Sequence, residues 1–582
     1  MKSRRSFYSL LLLTSLIFSS LTPAFSQVQE DEQWLTPNRY DVGFQGILIS
    51  DIVNSFQLYS RLEARSNFPT NDSTYLCKSS TSPNCDLAPN LNYNAVLGAC
   101  NDKRLTDCIS GFQSKNPEGK IADAVFESEL NRDHVNRFQG DATLKIPDAG
   151  EPSIWDLRSA PHVGGTKYAV VSGLSGGTTR TSPTVPIEFY AYVIPVEKVN
   201  TGVLGTNQDG FSFTYPQCIA KSPGELGQAR VGCRGVNSFG VGTENTKCVL
   251  NIENGPDCYI QRPFPANFSY TLNLKLKENL NGWLHGRLLD PQISISEKPG
   301  DGTNISITAK PMNVPIFYYG DSFQNLPQSL QTAYATKGGL SQGGFSGRLC
   351  CEYQPDPKLR NATSTPWSFG EDSIDEMKLW LNVAQDKSVA SPSAWSVRTL
   401  SPSSISSSSR CFAQGDGLKG LVTTNSTTYS DGPPKYVDGE LQYRVASPHY
   451  SASGIENRGT YNLLIRSDVA KCLYGFSDKP IQATVMVTKS DGGTSNVATE
   501  LISMSDGWLK LSAKNFTFSD PTIRIKLTQE VTAPVAAATP TPSILAPTKV
   551  VPKKISITCI KGKIKKVITG TKPVCPSGYK KK

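Results

Sequence analysis

One short segment of the chain matches a catalytic sequence pattern. Gly173–Gly177 reads Gly-Leu-Ser-Gly-Gly, which fits the G-x-S-x-G pattern of serine hydrolases, where the serine lies on a sharp turn between a strand and a helix. An apolar stretch, Tyr168–Ser172, predicts the strand, but Thr178–Pro183 cannot supply the helix. We therefore interpret the segment as a glycine-rich β-turn and not as the position of a nucleophile.

Acidic and histidine side chains are the other candidates for catalysis. A group of four carboxylates suggests the acidic pair of a glycosidase, although an acidic cluster in a loop before an apolar stretch is more typical of a solvated edge. These residues are Glu371, Asp372, Asp375 and Glu376. The histidines lie far apart, without metal-type spacing or an adjacent nucleophile. They are His134, His162, His285 and His449. We therefore predict no catalytic residue, no metal ligand and no cofactor.

The first 26 residues have the organisation of a signal peptide. A basic start at Arg4 and Arg5 precedes an apolar core, Leu10–Phe18, and a small-residue cleavage site, Ala24–Ser26. The apolar run is shorter than the roughly 20 residues that a membrane-spanning helix needs. Ser3–Phe7 is similar to the twin-arginine export signal, but the Leu-rich core favours the general secretory route. We predict a secreted protein, extracellular or held at the cell surface.

An exported chain with 14 cysteines is expected to form disulfides, because thiols are not kept reduced outside the cytoplasm. The first four cysteines suggest two disulfides, as local loops or as a nested pair, and their spacing is too wide for a typical zinc site. Spacing also permits Cys218–Cys258 outside Cys233–Cys248, while at least one of the adjacent Cys350 and Cys351 needs a distant partner. The candidate disulfide cysteines are Cys77, Cys85, Cys100, Cys108, Cys218, Cys233, Cys248, Cys258, Cys411, Cys472, Cys559 and Cys575.

The C-terminal segment concentrates the positive charge of the chain. The formal net charge is +9, but Lys549–Lys582 holds many lysines and no acidic residue, so the rest of the mature chain is mildly acidic. Its single aromatic residue, Tyr579, offers little surface for stacking bases, so we expect anionic wall or envelope polymer and not nucleic acid as the partner. The candidate polymer-binding residues are Lys553, Lys554, Lys561, Lys563, Lys565, Lys566, Lys572, Lys580, Lys581 and Lys582.

Alternating apolar residues predict that the chain is mainly β. In Tyr461–Ile465 every second residue is apolar, which is typical of a strand with one buried face. Gly282–Leu284 and Gly507–Leu509 share the sequence Gly-Trp-Leu, and each precedes an Asp-Pro pair and another alternating strand. We interpret this as an internal duplication of a disulfide-tied β unit. Trp283 and Trp508 are then expected to be core residues of the copies and not a platform for sugars.

These patterns together predict several antiparallel β-sandwich-like domains, tied by disulfides. A short helix is expected within Gln324–Lys337, because Leu326, Leu330 and Tyr334 recur at four-residue intervals. The predicted organisation is a signal peptide (1–26), an N-terminal Cys-containing β domain (27–200), a first β copy (201–312), a connecting region (313–398), a second β copy (399–530), an Ala/Pro/Thr linker (531–552) and a basic two-Cys tail (553–582) forming a small β-hairpin with lysines dense on one face.

The C-terminal third of the chain resembles a group of uncharacterised secreted modular proteins of free-living actinobacteria. The resemblance rests on the Lys-rich two-Cys tail, on Tyr461, on Cys472–Phe476, on Gly507–Leu509 and on Ile523–Gln529. It implies a modular extracellular protein whose shared basic tail acts in sorting or wall retention. It implies no activity.

Three functions remain as hypotheses. The first is a surface-attached, non-catalytic binding or adhesion protein, whose basic tail holds anionic polymer while the β units contact an unknown extracellular ligand. The second is a structural envelope component that self-associates into a layer or fibre. The third is an extracellular enzyme acting on polysaccharide or peptide, for which the sequence offers no coherent site. We favour the first, because the basic tail is the most distinctive functional element.

Overall fold

A computed structural model confirms a mainly β protein, in which 55% of the described residues are in strands and 9% are in helices. The chain forms two compact units, Met1–Gln529 and Glu530–Lys582. The structure describes residues 43–50, 58–65, 74–83, 85–101, 103–130, 137–183, 188–200, 248–251, 257–298, 302–335, 356–359, 362–364, 366, 368–400, 410–413, 417–476, 481–488, 494–496, 503–505, 507–518, 522–529 and 555–582.

The strands and helices are numbered in chain order. The strands of the first half are β1 (Phe44–Ile49), β2 (Arg61–Arg65), β3 (Thr74–Leu76), β4 (Asn90–Val96), β5 (Cys108–Lys115), β6 (Ile121–Asp123), β7 (Val125–Glu129), β8 (Ser153–Asp156), β9 (Lys167–Thr179), β10 (Glu188–Asn200), β11 (Cys248–Asn251), β12 (Asp257–Gln261), β13 (Ser269–Leu276), β14 (Gly282–Arg287) and β15 (Leu289–Lys298). Those that follow are β16 (Gly302–Lys310), β17 (Met312–Asn313), β18 (Phe317–Ser322), β19 (Ala362–Ser364), β20 (Ser393–Thr399), β21 (Leu418–Thr424), β22 (Thr428–Tyr429), β23 (Lys435–Val437), β24 (Glu440–Ala446), β25 (Arg458–Arg466), β26 (Ile481–Thr488), β27 (Thr494–Asn496), β28 (Ser503–Ser505), β29 (Trp508–Thr517), β30 (Thr522–Gln529), β31 (Ile555–Lys561), β32 (Ile564–Gly570) and β33 (Lys580–Lys581). The helices are α1 (Gln328–Tyr334), α2 (Glu371–Leu381), α3 (Arg410–Ala413) and α4 (Ser467–Tyr474), with a 3₁₀ turn at Phe323–Asn325.

A 16-stranded sheet, here called the central sheet, runs through the first unit. Its main path is β28-β29-β25-β21-β14-β20-β10-β9-β4-β2-β3. Most neighbours on this path are antiparallel, whereas β14 and β21 pair in parallel. A five-stranded sheet has the order β15-β16-β13-β5-β6, and a six-stranded sheet contains β22-β24-β30-β26-β27 with β23 beside β24.

The two smaller sheets cover opposite faces of the central sheet. On β25, Leu464 belongs to a core that includes residues of the five-stranded sheet, whereas its neighbours Leu463 and Ile465 belong to a core with residues of the six-stranded sheet. Successive side chains of a strand lie on opposite faces, so β25 is buried on both sides. The first unit is therefore layered as sheet, central sheet and sheet.

A smaller helical layer lies beside β1. Strand β1 pairs with β18 and β19, and α1 and α2 contribute to the same core as Ile47. Helix α1 lies within the segment predicted to be helical. Helix α2 begins at the acidic cluster that was predicted to be a loop, so that prediction is wrong. Glu371 and Asp372 occupy its first turn, where the helix dipole stabilises negative charge.

The predicted boundaries at residues 200, 312 and 398 do not separate these sheets. The central sheet takes β9 and β10 from the predicted N-terminal domain, β14 from the first copy, β20 from the end of the connecting region, and β21, β25 and β29 from the second copy. Strand β14 pairs with β20 and β21, more than 100 residues later in the chain. The pattern within a strand predicts its buried face but not its partner, so proximity in the sequence does not locate the boundaries of these sheets.

The two Gly-Trp-Leu segments have similar places in the order of elements. Each Gly-Trp-Leu segment lies on a central strand, β14 or β29, between strands of a smaller sheet: β13 and β15 in one case, β26 and β30 in the other. Those smaller sheets lie on opposite faces, however, and Cys258 lies on β12 whereas Cys472 lies on α4. A duplication therefore stays a prediction about ancestry and does not describe two equivalent modules.

Candidate functional site

The described part of the second unit, residues 555–582, is a three-stranded sheet, here called the tail sheet, with the order β32-β31-β33. Strands β31 and β32 form the predicted hairpin through a two-residue turn, Gly562–Lys563, in which Gly562 has a φ of 61° that favours glycine. Strand β33 pairs with the other edge of β31. A disulfide joins the buried Cys559 to Cys575, which gives so small a unit the covalent link that it needs.

The tail sheet presents positive charge to solvent. The eight candidate lysines that the structure describes are all exposed. They are Lys561, Lys563, Lys565, Lys566, Lys572, Lys580, Lys581 and Lys582. Lys553 and Lys554 lie outside the described residues. Because residues 549–582 contain no Asp or Glu, none of these ammonium groups is neutralised by a carboxylate side chain of the tail sheet itself.

The lysines lie on both faces of the tail sheet and not on one, as the sequence had suggested. Lys565 pairs with Ile560, which also pairs with Lys580, so these two lysines share a face. Lys566 and Lys581 both pair with Cys559 and lie on the opposite face. Adjacent residues of a strand alternate between faces, so each Lys-Lys pair is split between them. Positive charge is therefore present on both faces of the tail sheet.

Four disulfides are present among the described residues. They are Cys77–Cys85, Cys100–Cys108, Cys411–Cys472 and Cys559–Cys575. The first two are local loops, which decides between the two pairings that spacing allowed for the N-terminal cysteines. Cys218, Cys233, Cys350 and Cys351 lie outside the described residues. Cys248 and Cys258 lie on the paired strands β11 and β12, and the nested pairing predicted for them stays a prediction.

The G-x-S-x-G segment lies in the middle of a strand. Strand β9 runs through it without a turn, so the predicted β-turn is wrong. Both edges of β9 are paired, with β4 and β10. Gly173 is required because a Cβ there would lie 2.2 Å from the hydroxyl of Tyr190. Ser175 donates a hydrogen bond to Glu188 across the sheet at 3.1 Å, which gives the serine a structural contact in place of a catalytic base.

The acidic residues of α2 contact different partners. Glu376 is fully buried and accepts a hydrogen bond from the hydroxyl of Tyr334 at 2.6 Å. Glu371 and Asp375 face the other way, and both form ion pairs with Arg444. Helix α2 thus carries one carboxylate in a buried hydrogen bond and two in an ion-pair cluster at the surface. Glu371 and Asp375 therefore meet at Arg444, whereas Glu376 is buried apart from them against Tyr334.

Histidine contacts could not be read from the sequence. The ring of His285 is fully buried and stacks on Tyr429, with ring centroids 3.6 Å apart. Burial, together with Arg287 and Arg398, lowers the pKa of His285 well below its usual value. His449 contacts the carboxylate of Asp386 at 2.5 Å, across 63 residues of sequence.

Of the remaining histidines, the structure describes His162. Burial lowers the pKa of His162, whose ring nitrogen lies 2.9 Å from the carbonyl oxygen of Lys167. His134 lies outside the described residues. In the described part of the chain, no three His, Cys, Asp or Glu side chains are grouped so that they could hold a metal ion.

The two tryptophans of the Gly-Trp-Leu segments have different environments. Trp283 is fully buried in the core below the six-stranded sheet, and its ring meets the ring of Phe412 edge-on at 5.0 Å. Trp508 is half-buried and packs against the edge of the other core. The shared Gly-Trp-Leu sequence predicts equivalent positions for Trp283 and Trp508, but the two rings lie on opposite faces of the central sheet and at different depths.

Comparisons with protein-family models, curated proteins and solved structures find no match. No helix among the described residues is both long and apolar enough to cross a membrane.

Proposed function

We propose that the chain is a secreted, surface-associated binding or adhesion protein, and that its tail sheet retains it on an anionic envelope polymer. The observation that carries this proposal is the disulfide-tied tail sheet with eight exposed lysines and no acidic side chain. One exposed ion pair contributes less than about 1 kcal/mol. Several lysines on a single compact unit contact successive charges of one polymer, so their weak contributions add.

The geometry of the tail sheet also suits a flexible polymer. Lysines on both faces allow a chain of negative charges to bend around the sheet, whereas a flat charged surface would use one face only. Tyr579 is half-buried, so stacking of bases does not add to the charge contacts. The four disulfides are compatible with an oxidising compartment. The Pro-rich segment 531–552 has the composition of an extended spacer.

Removal of residues 531–582 is expected to abolish retention on purified actinobacterial cell walls. The full chain should sediment with the walls at low salt and be released as salt rises from about 0.01 to 1 M, because the Debye length falls from about 30 to 3 Å over that range. The measurement is the bound fraction of both forms across the salt series. Equal binding of the two forms at every salt concentration would contradict the proposal.

Two variants distinguish the contribution of the lysine charges from that of the folded tail sheet. Replacing Lys565, Lys566, Lys580 and Lys581 by Gln leaves the hairpin and its disulfide in place, and it should lower the salt concentration at which half the protein is released. Replacing Cys559 and Cys575 by Ser keeps every charge but removes the covalent link. If a charged but unfolded tail binds as well as the native one, the compact sheet is not needed for retention.

A further inference from the structure

A groove opens at one end of the central sheet, where four neighbouring strands begin or end. Strand β14 begins at Gly282, β21 at Leu418 and β29 at Trp508, while β25 ends at Arg466. The groove has a volume of about 420 Å³, within the range of about 300–1,000 Å³ that is usual for small-molecule sites. Its lining residues include Asn279, Ile295, Thr303, Leu418, Arg466 and Trp508.

The wall of the groove combines an aromatic ring with aliphatic side chains. Trp508 is half-buried, so part of its indole ring faces the groove while the rest packs against the core. Ile295 and Ile305 approach from the five-stranded sheet, and Leu418 lies on the neighbouring strand β21. Gly507 has a φ of 80° and nothing within 4 Å of where its Cβ would be, so the space beside Trp508 is open.

The polar groups of the groove are held in fixed positions. The hydroxyl of Thr303 donates a hydrogen bond to the side-chain oxygen of Asn279. Arg466 donates to the carbonyl oxygen of Leu418 at 3.2 Å, and it donates to both carboxylate oxygens of Asp468 at 2.6 and 2.8 Å. Arg466 is the ionisable residue among the lining residues, and this bidentate pair balances its charge. The described lining residues therefore offer preformed hydrogen-bonding groups without net charge.

We infer that this groove binds a neutral saccharide. A pyranose ring has an apolar C–H face and a rim of hydroxyl groups. The C–H face fits against the exposed part of the Trp508 indole, because aromatic rings bury apolar surface at a small loss of side-chain entropy. The hydroxyl rim meets Asn279, Thr303 and Arg466. A lipid tail would make no use of the hydrogen-bonding groups of Asn279, Thr303 and Arg466, whereas an acidic sugar would find Arg466 already paired with Asp468.

This inference is independent of the proposed role of the tail sheet, and the test keeps the two apart. The full protein is run through native gels containing dextran, laminarin, mannan, xylan or arabinogalactan in about 0.5 M NaCl, where screening suppresses the contacts of the tail sheet. At least one of these neutral polysaccharides should retard the protein. Trp508→Ala should weaken that retardation at least ten-fold, and Trp508→Phe, which keeps an aromatic ring, should weaken it less.

Tyr75→Ala is the matched control, since Tyr75 is an exposed aromatic residue on β3, outside the groove. It should leave retardation unchanged. Near-ultraviolet circular dichroism checks that each variant keeps the native fold. The inference is overturned if none of the five polysaccharides retards the protein, or if a folded Trp508→Ala variant is retarded like the parent. Retardation by polygalacturonate alone, or binding of unfolded peptides in place of polysaccharides, would overturn it as well.

Discussion

Trp283→Ala is expected to lower the free energy of unfolding of the first unit by about 3–5 kcal/mol, as is typical for removal of a buried aromatic side chain. The ring is fully buried and meets Phe412 edge-on at 5.0 Å. It lies directly over Gly420, where a Cβ would come within 2.1 Å of it. Because β14 is a central strand held between β20 and β21, the backbone cannot close over the space that the ring leaves.

Urea denaturation with the disulfides intact measures this change, and Trp508→Ala is its internal control. Trp508 is half-buried at the edge of a core, so its loss should lower the free energy of unfolding by no more than about 2 kcal/mol. Equal destabilisation by the two substitutions would contradict the placement of the two rings on different faces and at different depths. It would favour the sequence-based view of two equivalent core residues.

The second large effect is a loss of stability as the pH falls below about 6.5, the usual pKa of an unfolded histidine. His285 is neutral in the folded protein, because burial first, and then Arg287 and Arg398, lower its pKa. Arg398 also donates a hydrogen bond to the hydroxyl of Tyr429 at 2.6 Å, which holds its charge near the stacked ring.

The sign of this pH dependence follows from the number of protons that the folded and unfolded states bind. Above about pH 6.5 neither state of His285 binds a proton, so its contribution is constant. Below that pH the unfolded chain takes up a proton that the folded protein refuses, and the free energy of unfolding falls by about 1.4 kcal/mol per pH unit. The fall continues until the pH reaches the lowered pKa of the folded protein, where the contribution levels off.

His285→Phe isolates this contribution, since a phenyl ring keeps the stacking on Tyr429 but does not titrate. The free energy of unfolding is measured from pH 7.5 downwards for the parent and the variant. The parent should lose up to about 1.4 kcal/mol per pH unit more than the variant below pH 6.5. His162, whose pKa is also lowered by burial, contributes to both proteins alike. Parallel curves for the two proteins would show that His285 does not titrate on unfolding.

Local features of the sequence predicted local features of the structure. The alternation in Tyr461–Ile465 predicted β25, and the Lys-Gly-Lys turn predicted the hairpin of the tail sheet. Among the described cysteines, spacing allowed the pairings that are present. Two local predictions were wrong: the acidic cluster was predicted to be a loop but begins α2, and the glycine run was predicted to be a turn but lies within β9. Their side chains are compatible with a loop or a turn in isolation, and contacts with Tyr334 and Tyr190 from elsewhere in the chain decide otherwise.

By itself, the sequence determined the mainly β class of this protein and the position of its basic, disulfide-tied tail, because alternation, charge density and short cysteine loops depend on neighbouring residues. Tertiary structure alone decided that β14 joins β20 and β21 in one sheet, that His285 stacks on Tyr429, and that Trp283 is buried while Trp508 lines a groove. These features depend on which strands meet across long stretches of chain. An alternating strand specifies a buried face but leaves open what will cover it.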